Sequence, residues 1–416
     1  MLWQPALPER YRQMTSDQLA AAITERRQRL GDRLVILGHH YQVDEVVRHA
    51  DLTGDSLKLS QLAAGVADEK PVEHVIFCGV HFMAESADML TPEDVNVILP
   101  DLSAGCSMAD MAAYDDTVEA WELLHESLAQ QNWNGRIVPI TYVNSTAAIK
   151  AFVGQHEGAC CTSSNADEVF AWAMAGGVRP KEPGEQIKIL FLPDQHLGRN
   201  TAAKFGIDVA QHSCLYDPKR TAKGDPLGGA TPEQLLESDV ILWAGHCSVH
   251  KLFRPEHCDE IRAENTERVA RGEQPVQILV HPECCKEVVD KSDLAGSTEF
   301  IIRTIEAAEP GSAWAVGTEV HLVNRLAQAA KARDVSVRIL SDCQCLCTTM
   351  YRIDEPHLLW ILDHLCGIDP KSGDERGMDH AEAINVVRVH PEVRSLALQA
   401  IVRMLSLSVG SPATVV

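Results

Sequence analysis

Cys106, Cys247 and Cys347 each follow a short β-branched run within a few residues, and they stand 141 and 100 residues apart. Thiols so spaced meet on one centre only if separate α/β units bring them together. Three thiolates leave a metal centre one open position, the catalytic arrangement, whereas four close it as a structural site. Soft thiolates select zinc, Cu(I) or iron–sulfur clusters. The wide spacing argues against a zinc finger, whose ligands come in close pairs. A [4Fe–4S] cluster normally takes four cysteines. With three, one iron is open to bind substrate as a Lewis acid. The full count of cysteines is thirteen, odd and high, and the chain shows no export signal. That combination points to metal, cluster or redox chemistry rather than a disulfide framework. The adjacent pairs Cys160-Cys161 and Cys284-Cys285, and Cys78, Cys214, Cys258 and Cys366, read as small buried hydrophobes.

The elements that must position these thiols are legible as buried runs: Leu34–Leu37, Val75–Cys78, Val95–Leu99, Ile137–Val143, Ile187–Leu192, Val240–Trp243, Val276–Val280, Ala313–Val316 and Val335–Leu340. Helical patterns lie between many of them, such as Leu59, Leu62, Ala63 and Val66 after Asp55-Ser56. Buried runs alternating with helices predict an α/β protein with parallel sheets. Ligands of such sheets bind outside the carboxyl ends of the strands, and a threefold pattern appears there. The first strand of each block runs into His39-His40-Tyr41-Gln42, Tyr142-Val143-Asn144 or His281-Pro282-Glu283. A Ser/Thr turn follows, at Ser56, at Thr162-Ser163-Ser164-Asn165, and at Ser297-Thr298; then a strand and His81, His196 or His321; then the cysteine. From His39 the steps are 17, 25 and 25, from His281 they are 17, 23 and 26, and from Tyr142 they are 21, 33 and 51. The longer middle block predicts a surface insertion at about 200–237, where Gly224-Asp225-Pro226 and Gly228-Gly229 fall.

The predicted organisation is therefore a lead-in and helix over 1–30, α/β units over 31–110, 111–250 and 251–350, and a helical segment over 351–416 packed on the first unit. Composition agrees: 45% apolar and 23% charged residues suit a globular chain and exclude disorder. The net charge of −22 is a poor match for nucleic acid or an anionic membrane. No apolar run approaches a bilayer span, and no signal peptide is visible, so a cytoplasmic protein is expected.

Several ordered motifs carry a resemblance. Gly105-Cys106-Ser107-Met108-Ala109-Asp110, Gly245-His246-Cys247-Ser248-Val249-His250 and Cys347-Thr348-Thr349-Met350 resemble the three cluster-ligand motifs of the quinolinate synthase (NadA) family. So do Gly79-Val80-His81-Phe82-Met83-Ala84-Glu85, Thr141-Tyr142-Val143-Asn144-Ser145-Thr146-Ala147-Ala148, Pro193-Asp194-Gln195-His196-Leu197-Gly198-Arg199, His281-Pro282-Glu283 and Gly296-Ser297-Thr298. The resemblance runs from about residue 30 to 365, and the extension beyond Asn200 is similar to the longer forms of the family.

The resemblance implies three similar α/β/α units with short parallel sheets around a pseudo-threefold axis, with the active site at their centre. It implies condensation of iminoaspartate with dihydroxyacetone phosphate to quinolinate, phosphate and water, in de novo NAD biosynthesis. It also implies a [4Fe–4S] cluster on Cys106, Cys247 and Cys347, and L-aspartate oxidase as functional neighbour. Tyr41, Tyr142, His281 and Glu283 match catalytic positions. His39, Ser56, Tyr142, Asn144, Ser163, His281, Glu283, Ser297 and Thr298 are expected to bind substrate. Helix starts and Ser/Thr hydroxyls would supply the local positive field that an acidic protein needs for anionic substrates. In Cys343-Gln344-Cys345-Leu346-Cys347 the family pattern selects Cys347 as ligand, with Cys343 and Cys345 as substitutes or a thiol pair. A zinc-dependent hydrolase or lyase on the same cysteines, and a non-enzymatic iron–sulfur sensor, are the rival readings.

Overall fold

The structure is a computed structural model that describes residues 3–69, 71–342 and 344–408, apart from the side chains of 57, 60, 64 and 66–69. The described residues form fourteen strands. They are β1 (Leu34–His39), β2 (Leu52–Gly54), β3 (His74–Cys78), β4 (Asn96–Ile98), β5 (Gly135–Tyr142), β6 (Ala159–Cys161) and β7 (Gln186–Leu192). They continue with β8 (Ser213–Tyr216), β9 (Val240–Trp243), β10 (Val276–Val280), β11 (Leu294–Ala295), β12 (Ala313–Gly317), β13 (Ser336–Ile339) and β14 (Val386–Val387). Every one of the nine apolar runs read from the sequence forms a strand.

The strands make three sheets in the orders β14-β4-β3-β1-β2, β6-β5-β7-β9-β8 and β11-β10-β12-β13. Stripped of β8 and β14, each sheet has the same order: second strand, first, third, fourth. Within that shared set every pairing is parallel. The protein is thus an α/β protein of three like sheets with helical connections, because the central runs such as Leu34–His39, Ile187–Leu192 and Ala313–Gly317 are buried on both faces and need helices to cover them. β14 adds an antiparallel edge to the first sheet, and β8 a parallel edge to the second.

The sheets fall in two compact units. Residues up to Cys106, with Leu346–His390, hold the first sheet; Ser107–Cys345, with the chain from Pro391, hold the other two. In the first unit the helix Ser16–Leu30 packs on the helix Glu355–Leu365, where the buried Asp363 accepts Tyr11 Oη at 2.9 Å and Arg26 Nε at 3.0 Å. The helix Ser56–Glu69 forms where the apolar spacing predicts it; Leu59 and Ala63 are buried, while the Val66 side chain lies outside the described residues. The C-terminal segment divides. Residues to His390 belong to the first unit, but the helix Pro391–Leu407 packs on the helix Ala147–Gln155 in the second. The reason is a close backbone approach, since a Cβ at Gly154 would lie 1.9 Å from the Leu396 carbonyl oxygen. The insertion is not all surface loop. Its Cys214 and Tyr216 turn inward, while Leu215 faces out, as an edge strand beside β9.

Candidate active site

The three sheets set corresponding residues at corresponding places. Gly38, Thr141 and Val280 pair with Thr53, Cys160 and Ala295 on one side and with Cys78, Leu192 and Gly317 on the other. The next residues along the first strands are His39, Tyr142 and His281. Three residues beyond each second-strand partner stand Ser56, Ser163 and Thr298. Ser56 and Thr298 open their helices, and Ser297 caps the latter by accepting Phe300 N–H at 3.3 Å.

The cysteines share one backbone device. In each sheet the helix after the third strand begins with an N–H that reaches a carbonyl two residues before a cysteine. His81 N donates to Ala104 O at 2.8 Å, Gln195 N to Gly245 O at 3.0 Å, and Val320 N to Cys345 O at 3.1 Å. Three residues after each of Cys106, Cys247 and Cys347 a single 3-10 turn begins, at Ala109, His250 and Met350. By this register Cys347 corresponds to Cys106 and Cys247, whereas Cys345 occupies the place of Ala104 and Gly245. Cys345 is fully buried, with its sulfur 3.2 Å from Ser341 Oγ. Cys343 lies outside the described residues. Among the described cysteines, Cys106, Cys247, Cys347 and Cys285 are partly exposed and the rest are buried. Each of the three sheets thus presents one partly exposed thiol after the same backbone device.

In the second unit the predicted residues converge. Glu283 is 2% exposed, and its Oε2 accepts His250 Nδ1 at 3.0 Å. The Tyr142 hydroxyl also hydrogen-bonds this carboxylate. Burial pushes the Glu283 carboxyl up, but the His250 and His281 imidazoles and Tyr142 outweigh it and hold the group down at about 2. Burial, with the neighbouring His250, lowers His281 to about 3 against the pull of Glu283, so its ring is neutral. The Glu283 backbone N–H donates to His281 Nδ1 at 3.3 Å. A backbone N–H only donates, so the His281 proton sits on Nε2, 3.1 Å from Ser163 Oγ. The His250 and His281 rings stack at 4.4 Å. Asn144, in the loop after β5, is half-buried, with a buried Oδ1 that has no partner, a site for a donor on a bound molecule.

In the first unit the same turn recurs: Tyr41 N–H donates to His39 Nδ1 at 3.1 Å, and the two rings meet edge-to-face at 4.7 Å. His39 is buried, and its proton likewise falls on Nε2. Tyr41, Ser56, Cys106 and Cys347 also belong to this unit.

Some neighbours of these residues lie outside the expected set of site residues. His250 holds Glu283 and reaches Thr318 Oγ1 at 3.4 Å; only its place three residues after Cys247 hinted at this. Asp194, which the sequence offers only as part of the Pro193–Arg199 motif, caps its helix through His196 N and Leu197 N and accepts Cys247 N at 3.2 Å. Burial and the Glu283 charge push the Asp194 carboxyl up against those three N–H groups. Glu319 caps the corresponding helix through His321 N and Leu322 N. The shared acid-x-His spelling of Asp194–His196 and Glu319–His321 was the available signal. His81 does not quite share their place: it is the first residue of its helix and they are the second. Cys247, His250 and Glu283 place donor atoms within 4.8 Å of one another. Two of these three are already hydrogen-bonded together.

A charged carboxylate buried between two imidazoles and a phenol, at the carboxyl ends of parallel strands, defines an α/β enzyme site of the proton-handling kind. The family model described as Quinolinate synthetase A protein matches residues 21–406. Proteins named quinolinate synthase are similar over nearly the whole chain. The one from Nocardioides sp. is 50% identical over 381 residues, 91% of this chain and 86% of its own. That from Streptomyces coelicolor is 45% identical over 391 residues, 94% of this chain and 88% of its own. That from Lysinibacillus sphaericus is 44% identical over 400 residues, 96% of each. The chain belongs to the quinolinate synthase family, and it is an enzyme.

Proposed function

We propose that this enzyme condenses iminoaspartate with dihydroxyacetone phosphate to give quinolinate, phosphate and water, a step of de novo NAD biosynthesis. The observation that carries the reading is Glu283, buried and charged, with Tyr142 and His250 on its oxygens and His281, itself bonded to Ser163, beside it. Enolisation, imine formation and dehydration need protons moved and carboxylates held, and they involve no net redox change.

We infer that Cys106, Cys247 and Cys347 hold a [4Fe–4S] cluster. Held by three cysteines, such a cluster supplies an open Lewis-acidic iron for a substrate oxygen. The chain's own residues do the rest. Ser163 Oγ accepts a hydrogen bond from His281 Nε2–H, which leaves its own hydroxyl proton for an anionic substrate oxygen. His281, neutral, acts as a donor rather than a resting base. The Glu283 charge polarises the Tyr142 hydroxyl, which exchanges the proton with substrate, and it compensates a proton delivered to His250. Asn144 Oδ1 takes an N–H or O–H of substrate. Ser297 and Thr298, at the start of the helix Thr298–Glu306, suit a carboxylate or phosphate. His39, Tyr41 and Ser56 are the corresponding groups of the first unit and are assigned to substrate in the same way. The imine substrate is hydrolytically labile, so an L-aspartate oxidase is its natural supplier. A reducing, cytoplasmic setting suits the thiolates.

The test is quinolinate formation by protein purified without air, with each substrate omitted in turn. Product that requires both substrates is expected. A cluster without product would overturn the substrates assigned, and bound zinc with no sulfide would favour a hydrolase or lyase on the same thiols.

A further inference from the structure

The turn that carries Ser163 is fastened to the far end of the chain. Asn165 closes this turn and is 2% exposed. Its Oδ1 accepts the Thr162 N–H at 2.7 Å and the Thr162 hydroxyl at 3.1 Å, and its own N–H returns to Thr162 O at 3.2 Å. The Thr162 hydroxyl oxygen in turn accepts Ser164 N–H at 3.2 Å. On the other side, Asn165 Nδ2 donates to the Met404 carbonyl at 3.2 Å and to Ser408 Oγ at 2.8 Å. A primary amide has two acceptor sites and two N–H donors. All four are committed here, two to the Ser163 turn and two to the end of the helix Pro391–Leu407.

That helix is seated firmly. Arg403 NH1 donates to Gly158 O at 2.6 Å, and Gly154 admits the Leu396 carbonyl so closely that no Cβ fits. A buried amide loses more than one bond when its partners go, because the groups left behind are stranded away from water. Moving the helix end therefore frees Asn165 and, with it, the turn that sets Ser163 against His281.

We propose that the C-terminal helix, acting through Asn165, is a positioning element for the Ser163 hydroxyl, so that affinity for an anionic substrate depends on the last turn of this helix. The proposal rests on the reading that Ser163 contacts substrate. Asn165 and Ser408 are positioning residues in it, acting through Ser163.

The experiment compares wild type with Ser163→Ala, Asn165→Ala, Ser408→Ala and Gly154→Ala. Steady-state KM and kcat for both substrates, iron content and thermal unfolding are measured for each. Ser163→Ala is expected to raise KM for one substrate about tenfold, the loss of a hydrogen bond to a charged group. Asn165→Ala and Gly154→Ala are expected to raise the same KM about fivefold or more, and Ser408→Ala about two- to threefold, with kcat and iron content near wild type. A merely structural role would lower the unfolding temperature and leave KM in place. Raised KM in Ser163→Ala beside wild-type KM in Asn165→Ala and Ser408→Ala overturns the relay alone. Unchanged KM in Ser163→Ala rejects the substrate contact, and the relay with it. If Asn165→Ala does not fold, Ser408→Ala decides between the same outcomes.

Discussion

In the proposed chemistry of the second unit Glu283 is the central group, because a buried carboxylate cannot leave its charge unpaired. Two imidazoles and a phenol surround a carboxylate that water does not reach. Glu283→Gln removes that charge and replaces one of the two carboxylate oxygens that His250 and Tyr142 can use with an amide NH2 that only donates. We expect kcat to fall at least about a hundredfold in Glu283→Gln and in Tyr142→Phe, with iron content unchanged. Wild-type turnover in either variant would remove that residue from the proton path. A pH effect on stability follows as well. His281 is held neutral down to about 3, against an ordinary value of 6.5, and Glu283 charged down to about 2, against 4.5. Below 6.5 the unfolded chain binds protons that the folded one refuses, so stability rises with pH in this range. It is full above 6.5 and is lost as pH falls toward 3. Urea midpoints should drop steadily below pH 6.5, and less steeply in His281→Asn; equal slopes would contradict the buried neutral ring. At this scale Tyr142, Ser163, His281 and Glu283 were legible, because they stand in motifs after strands. Asn165 was not, since a lone Asn has no pattern until packing gives it partners, and for His250 the place three residues after Cys247 left support of the site and contact with substrate equally open.

Nine strands were legible because each is a β-branched run long enough to be read. β2, β6 and β11 were not: Leu52–Gly54, Ala159–Cys161 and Leu294–Ala295 are two or three residues long and gain their form from pairing with a longer first strand. Yet those short strands carry the Ser56, Ser163 and Thr298 turns, so site geometry depends on the least legible elements. The cysteine device was also hidden, as it is made of backbone. Gly245 shows its tolerance: a Cβ there would lie 2.3 Å from the Pro193 carbonyl oxygen, beside Asp194 and its bond to the Cys247 N–H. Gly245→Ala should cost about 1–3 kcal/mol in urea unfolding, as overpacking does, and should lower iron retention. Wild-type stability and iron would show that the close approach does not hold Cys247.

Across the whole molecule, one repeated α/β plan is sorted into two compact units. The chain leaves the first after Cys106, returns at Leu346 and leaves again at Pro391. Cys106 and Cys347 belong to one unit and Cys247 to the other. The sequence repeat pointed to three blocks because it records strand order and spacing, which each sheet keeps. It is silent on which sheets share a core, and on the C-terminal helix returning to the second unit, because those depend on contacts such as Gly154 with Leu396. The most direct measurement is iron and acid-labile sulfide per chain in protein purified without air, for wild type, Cys106→Ala, Cys247→Ala, Cys347→Ala and Cys345→Ala. About four of each are expected in wild type and in Cys345→Ala, since small residues fill that place in the other two sheets, and almost none in the other three variants. A full cluster in Cys347→Ala, or its loss in Cys345→Ala alone, would contradict the ligand assignment.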